Sequence, residues 1–285
     1  MHLNFRNIIA SFLMLAAVGI SAYSQSETAV KPADDKAKKV ETKEQAAADK
    51  KAAKADPKAP VTAEGVAEST IIIYGGLGGR KTLDQIRKTT IERGKMNVMN
   101  ATGQTEPVSY EKRVLRSDNL DKEKIRADLE YPSIKYALIR SDDKIFGIYN
   151  DAVFSPRSDA AKEFENRIFH GLEALLRYKE NGSTIELGGH EKIMGVDYYF
   201  IDVTDKAGRK SRFYVSAKTY RVMMIDYEED GIKYRRKFYN YNYAQGTLVP
   251  YRTTLTANDK LVEDTEVLTV SYGQKVDDEL FKSGT

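Results

Sequence analysis

Residues 196–243 read VDYYFIDVTDKAGRKSRFYVSAKTYRVMMIDYEEDGIKYRRKFYNYNY. Four runs rich in Val, Ile, Tyr, Phe and Thr are divided by Lys206-Ala207-Gly208, Lys218-Thr219 and Asp230-Gly231. Side chains of the first kind suit a pleated, half-buried surface, and residues of the second kind suit tight turns. The pattern predicts strands at Val196–Thr204, Ser211–Ser216, Arg221–Glu228 and Ile232–Tyr243, and connections this short join antiparallel neighbours. Strand alternation puts Met223, Ile225 and Tyr227 on one face of the third strand and Val222 with Met224 on the other. In the fourth it groups Tyr239, Tyr241 and Tyr243 with Arg235 and Lys237.

Outward from this stretch the same texture continues. Further strands are predicted at Ile91–Asn100, Val108–Leu115, Lys124–Glu130, Tyr136–Ser141, Lys144–Tyr149, Thr184–Ile193, Leu248–Ala257 and Val262–Tyr272. About a dozen strands in one chain curl or close rather than stay flat. One long helix interrupts them, predicted over Ser158–Tyr178, with Ala161, Phe164, Ile168, Leu172 and Leu175 at three- and four-residue steps and Phe169 widening the stripe. Two short helices precede the strands, one over Val66–Tyr74 stopped by Gly75-Gly76, the other near Thr82–Thr89 with Thr82 as its cap. The expected fold is α+β and mainly β: a strongly curved antiparallel sheet whose concave face the central helix covers.

The first part of the chain differs in composition. Residues 1–24 read as a signal peptide, with Arg6 before an apolar run from Ile8 to Ile20 and small residues at Ala22 and Ser24. Residues 25–65 read as a disordered, charged Ala/Lys/Glu-rich linker: Ser26–Glu64 holds nine Lys, eight acidic residues and eleven Ala, without Leu, Ile or any aromatic. The folded domain is then 66–285, and the expected location is the periplasm of a Gram-negative-type envelope.

Composition narrows the chemistry. The 285 residues carry 45 basic and 42 acidic side chains, a formal charge of +3, which gives no general pull towards nucleic acid. With no Cys, there is no disulfide framework, thiol nucleophile, Cys-ligated zinc or lipidation site. There is no Ser-elbow, zinc-protease helix or phosphate loop, and His170 and His190 have no catalytic company in the sequence. We therefore expect no enzyme, cofactor or metal. A curved sheet with apolar inner side chains can be a container, and Met223 and Met224 are the kind of residue that adapts to an apolar ligand.

The order of small motifs carries more. Tyr74-Gly75-Gly76-Leu77 is followed by a Leu83-x-x-Ile86 step and a strand turning through Gly94. Gly188 then leads through Gly195-Val196-Asp197-Tyr198-Tyr199 to Phe213-Tyr214-Val215 and Thr219, then Gly246-x-x-x-Pro250, then Val276-Asp277-Asp278-Glu279-Leu280-Phe281. In this order residues 66–285 resemble the outer-membrane lipoprotein-sorting (LolA/LolB-like) superfamily of periplasmic lipoprotein carriers. The resemblance implies an unclosed β-barrel of about eleven strands, an apolar cavity for acyl chains, and carriage of a lipoprotein or lipid towards the outer membrane. It implies as partners an acylated lipoprotein or lipid cargo and membrane-bound donor and acceptor proteins, with no nucleic acid and a monomeric chain. Carriers of this kind have an Arg on an early strand that affects cargo release. Its nearest counterpart here is Arg126, followed by Ala127 where an aromatic is expected. The expected cargo-binding residues are Phe164, Ile168, Phe169, Leu172, Leu175, Phe213, Val215, Met223, Ile225 and Arg126. The alternative is a lipid- or protein-sensing module of the same fold without onward transfer.

Overall fold

A computed structural model describes residues 60–100 and 102–283. The expected signal peptide and most of the expected linker lie outside them. The first element is helix α1, Ala63–Gly75, two turns of which are buried almost all round: Val66, Ala67, Thr70, Ile71, Ile73 and Tyr74. Thr62 caps it by accepting from the Gly65 N–H at 3.0 Å, which starts the helix three residues before the expected Val66. Gly76, at φ 63°, ends it. Helix α2 spans Gly79–Ile86, starting at Gly79 because a short 3₁₀ turn over Gly76–Gly78 feeds directly into it; Thr82 therefore lies inside the helix and is not its cap.

Thirteen antiparallel strands form one sheet: β1 Thr89–Met99, β2 Thr105–Leu115, β3 Lys124–Glu130, β4 Lys135–Ser141, β5 Lys144–Tyr149, β6 Ala152–Phe154, β7 Thr184–Ile193, β8 Val196–Thr204, β9 Lys210–Ser216, β10 Val222–Glu229, β11 Ile232–Ala244, β12 Thr247–Ala257 and β13 Lys260–Tyr272. Their spatial order is β6-β5-β4-β3-β2-β1-β13-β12-β11-β10-β9-β8-β7. The chain enters mid-sheet, steps out to β6, crosses to the opposite edge at β7, and steps back until β13 pairs with β1. The sheet is not closed into a barrel. All twelve expected strands are present. The thirteenth, β6, is three residues long and too short to carry a periodicity, and the sheet has two strands more than the eleven implied by the resemblance.

The crossing between the edges is helical. Where one helix was expected over 158–178, two occur: α3, Ser158–Phe169, and α4, Leu172–Leu176. Gly171, in an extended conformation, separates them. Helices α1 and α4 lie inside the curve of the sheet, and their side chains join the inward ones of β3, β4 and β8–β12 in one large core. Arg80 ties α1 down by bridging Glu68 at 2.9 Å and Glu180 at 2.6 Å.

Two local departures from strand alternation decide which side chains face inward. A bulge between Val222 and Met224 leaves Met223 unpaired with β9. Val222, Ile225 and Tyr227 are consequently buried on the inner side, whereas Met223 and Met224 pack with Tyr198, Phe200 and Tyr214 in a separate outer cluster. In β11, Asn240 has φ 52°, and the expected shared face of its tyrosines breaks there. Tyr241 turns inward to meet the Tyr74 hydroxyl at 2.9 Å, while Tyr239 is exposed beneath Arg252. At the centre, β1 is kinked between Arg93 and Gly94 against β13. A Cβ at Gly94 would lie 2.3 Å from the Glu266 carbonyl oxygen and 2.6 Å from the Tyr110 ring.

Gly94→Ala is therefore expected to strain backbone against backbone and to lower unfolding stability by about 2 kcal/mol, read as a lower urea midpoint with an unchanged slope.

Candidate functional site

Between α3–α4 and the inner face of β1–β4 and β11–β13 runs a cavity of about 380 Å³. The pairing registers align it with the strands. Thr90 lies level with Val114 and Tyr272 at its inner end, and Met96 with Val108 and Thr265 at its outer end. Six residue steps separate the two levels, a length of about 20 Å.

Its middle is apolar because alternate positions of regular strands point into it. Ile125, Ala127 and Leu129 enter from β3, Leu138 from β4, Val114 from β2, Phe238 from β11 and Val267 from β13. Across from them α3–α4 presents Phe164, Ile168 and Leu172. Both ends are charged. Between the two ends, two residue steps from Thr90 along β1, Glu92 accepts from Lys112 at 3.1 Å and from the Tyr110 hydroxyl at 3.0 Å. At the outer end, Arg167 of α3 meets Glu163 at 2.6 Å and Glu263 of β13 at 2.7 Å. Burial opposes the ionisation of Glu263, but Arg167 and Arg236 outweigh it and hold the carboxyl below its ordinary pKa. Tyr131 and Tyr136 stack beside this end with ring centres 5.9 Å apart.

At the inner end Glu173 of α4 lies between two guanidiniums, 2.8 Å from Arg87 and 2.5 Å from Arg116. Burial works against its charge, yet Arg116 and Arg87 prevail and bring its pKa down to about 2. Glu123 is ion-paired with Arg177 and lies 3.9 Å from Arg116. Burial and then the charge of Glu173 push it up to about 7 against those arginines. Arg140 positions Glu123 by donating to the carbonyls of Leu120, Asp121 and Glu123 at 3.2, 2.7 and 3.1 Å. Among the described residues no group of three or more His, Asp or Glu is arranged to hold a metal ion.

The expected cargo-binding residues separate into three groups. Phe164, Ile168 and Leu172 line the cavity. Phe169, Leu175, Phe213, Val215 and Ile225 lie in the packed core beside it, Phe169 with Arg209 stacked 3.5 Å above its ring. Met223 and Arg126 face the outer side of the sheet, Met223 because of the bulge in β10, Arg126 because Ile125 and Ala127 take the inward positions of β3. Arg126 donates to Asp128 at 2.8 Å and to the Leu280 carbonyl at 3.0 Å. Leu280 belongs to a terminal 3₁₀ turn, Asp278–Phe281, whose Phe281 is buried against Ala137 and Ile139 on that outer side. The sequence reading missed the wall of β2–β4. Its signal is Ile125-x-Ala127-x-Leu129 alternating with Arg126 and Asp128. It also missed the ion-paired ends, which no spacing announces, since Arg87, Arg116, Glu123 and Glu173 sit on four separate segments.

The fold has solved counterparts. A LolA superfamily protein from Nitrosomonas europaea superposes with a TM-score of 0.55 at 13% identity, over 78% of this chain and 98% of its own. A DUF1329 family protein from Desulfovibrio piger gives 0.54 at 15% identity, over 71% and 92%. A domain assigned to outer membrane lipoprotein sorting, from Vibrio parahaemolyticus, gives 0.51 at 14% identity, over 71% and 92%. The chain thus has the LolA-like half-barrel fold. No family model matches the sequence, and no curated protein matches it.

Two outcomes follow from this geometry. Because folding raises the Glu123 pKa, the folded state binds this proton more tightly than the unfolded chain does. Its contribution to stability is present below about pH 4.5 and is lost as pH rises through about 7. Urea midpoints at pH 5 and pH 7.5 should therefore differ less in Glu123→Gln than in the parent chain. Arg126→Leu should release the segment 276–281, seen as cleavage there at protease concentrations that leave the parent intact.

Proposed function

We propose that this chain is an exported, non-enzymatic carrier that holds the acyl portion of a lipid or lipoprotein in the cavity and delivers it towards the outer membrane. The observation that carries the reading is an elongated cavity inside a LolA-like half-barrel, with an apolar middle walled by Phe164, Ile168 and Leu172 on one side and by Leu129, Leu138 and Phe238 on the other. Burying eight methylenes there contributes about 6 kcal/mol towards holding the chain, against the cost of association. The leader-like residues 1–24 support export, and no helix among the described residues is long and apolar enough to cross a membrane. Donor and acceptor partners at the two membranes belong to the same reading.

Entry and release then fall to α3. Its polar side is held by Lys162, which meets Glu229 at 2.6 Å and Asp230 at 2.8 Å, and by the Arg167–Glu263 pair. Partly exposed ion pairs of this kind are individually weak and screened by salt. With Gly171 as the break between α3 and α4, a partner that competes for these charges can lift the helix and expose the chain beneath.

Native mass spectrometry with lipid extraction on the purified full chain should reveal a co-purifying acyl species. Phe164→Ala should weaken uptake of that species about ten-fold, in line with the loss of one buried aromatic wall. A mass without ligand and no uptake of added lipid or acylated peptide would refute the carrier. Uptake without passage to acceptor vesicles would instead favour a sensing module.

A further inference from the structure

The inner end of the cavity holds more buried positive charge than the chain firmly neutralises. Arg87, Arg116 and Arg177 are 9%, 8% and 3% exposed in their side chains. The carboxylates they share are Glu173, 26% exposed in its side chain, and the buried Glu123. Asp84, 43% exposed, reaches Arg116 from the solvent side at 3.3 Å. Glu123 is itself a poor counter-charge near neutrality, since burial and Glu173 raise its pKa to about 7. Arg87 lines the cavity, donates to Glu173 and to the Leu248 carbonyl, and keeps a buried Nε without a hydrogen-bond partner. A guanidinium in the wall of a buried cavity offers an incoming anion charge-assisted bonds where water competes little.

The cavity's length of about 20 Å suits an extended hydrocarbon chain running along the strands.

We propose that the cavity takes an amphiphile with an anionic head, the head seated on Arg87 and Arg116 at the inner end and the hydrocarbon running from there along the cavity. This rests on the acyl-binding reading above and narrows it to an anionic head that faces inward. A carboxylate and a phosphate monoester both satisfy the chemistry.

Calorimetric titration of the full chain, stripped of lipid, with hexadecanoate, hexadecyl phosphate and hexadecanol tests it. At least one anionic compound should bind about ten-fold or more tightly than the alcohol, and the tighter of the two identifies the head. In Arg87→Gln the gap should shrink to about three-fold or less. Equal affinities in the parent chain would overturn the head site and leave acyl binding standing. A gap that survives in Arg87→Gln but vanishes in Arg236→Gln would overturn the inward orientation, since Arg236 lies at the outer end. Binding of none of these compounds would remove the acyl-binding reading itself. The comparison among ligands in the parent chain decides the matter even if Arg87→Gln folds poorly.

Discussion

The inner face of a thirteen-stranded sheet that curls without closing is too large for one helix to cover, and the rest of the molecule follows from how that face is filled. The strands β6 and β7 are edges, and the chain between them crosses inside the curve as α3 and α4. One part of the inner face is packed solid by α1 and α4. The other part is covered only by α3, which reaches the sheet through Phe164 and Ile168 and through charges at its polar side. An apolar space remains where α3 stands over β1–β4, and its position is set by the break at Gly171, which lets α4 join the core while α3 stays above the cavity.

Charge placement makes this space unlike an ordinary core. Buried ion pairs are costly unless well paired, so five charged side chains around the inner end require a compensating geometry. Glu173 supplies it by accepting from two arginines at once, one at the end of α2 and one after β2, joining the terminal helices to the sheet. Glu123 is less well compensated, and Arg87 keeps an unused donor.

The outer face has its own clusters. The C-terminal segment covers Ala137 and Ile139, held by Arg126 and by Lys124, which meets Asp278 at 2.7 Å. Tyr198, Phe200 and Tyr214 pack together on the other flank beneath Arg212 and Arg235, each of which is paired bidentately with an aspartate. These side chains cover two parts of the sheet's outer face.

By itself the sequence determined the strands, their antiparallel order and the cover of the curve by an apolar helix. Each of these depends on local periodicity and turn chemistry, as at Asp230-Gly231 and along Phe164, Ile168 and Leu172. It also carries the order of small motifs on which the resemblance to a LolA-like fold rests. Tertiary structure alone decided which face of each strand is inward and which charges meet. A one-residue bulge at Met223 reverses the alternation and sends both methionines outward. The inward position on β3 belongs to Ile125 and Ala127, and Arg126 is left to hold the C-terminus. Arg87, Arg116, Glu123 and Glu173 are brought together from four segments by the packing of α2 and α4 on the sheet. Side-chain parity and long-range charge contacts depend on register and on distance across the fold, and neither is written in the spacing of residues along the chain.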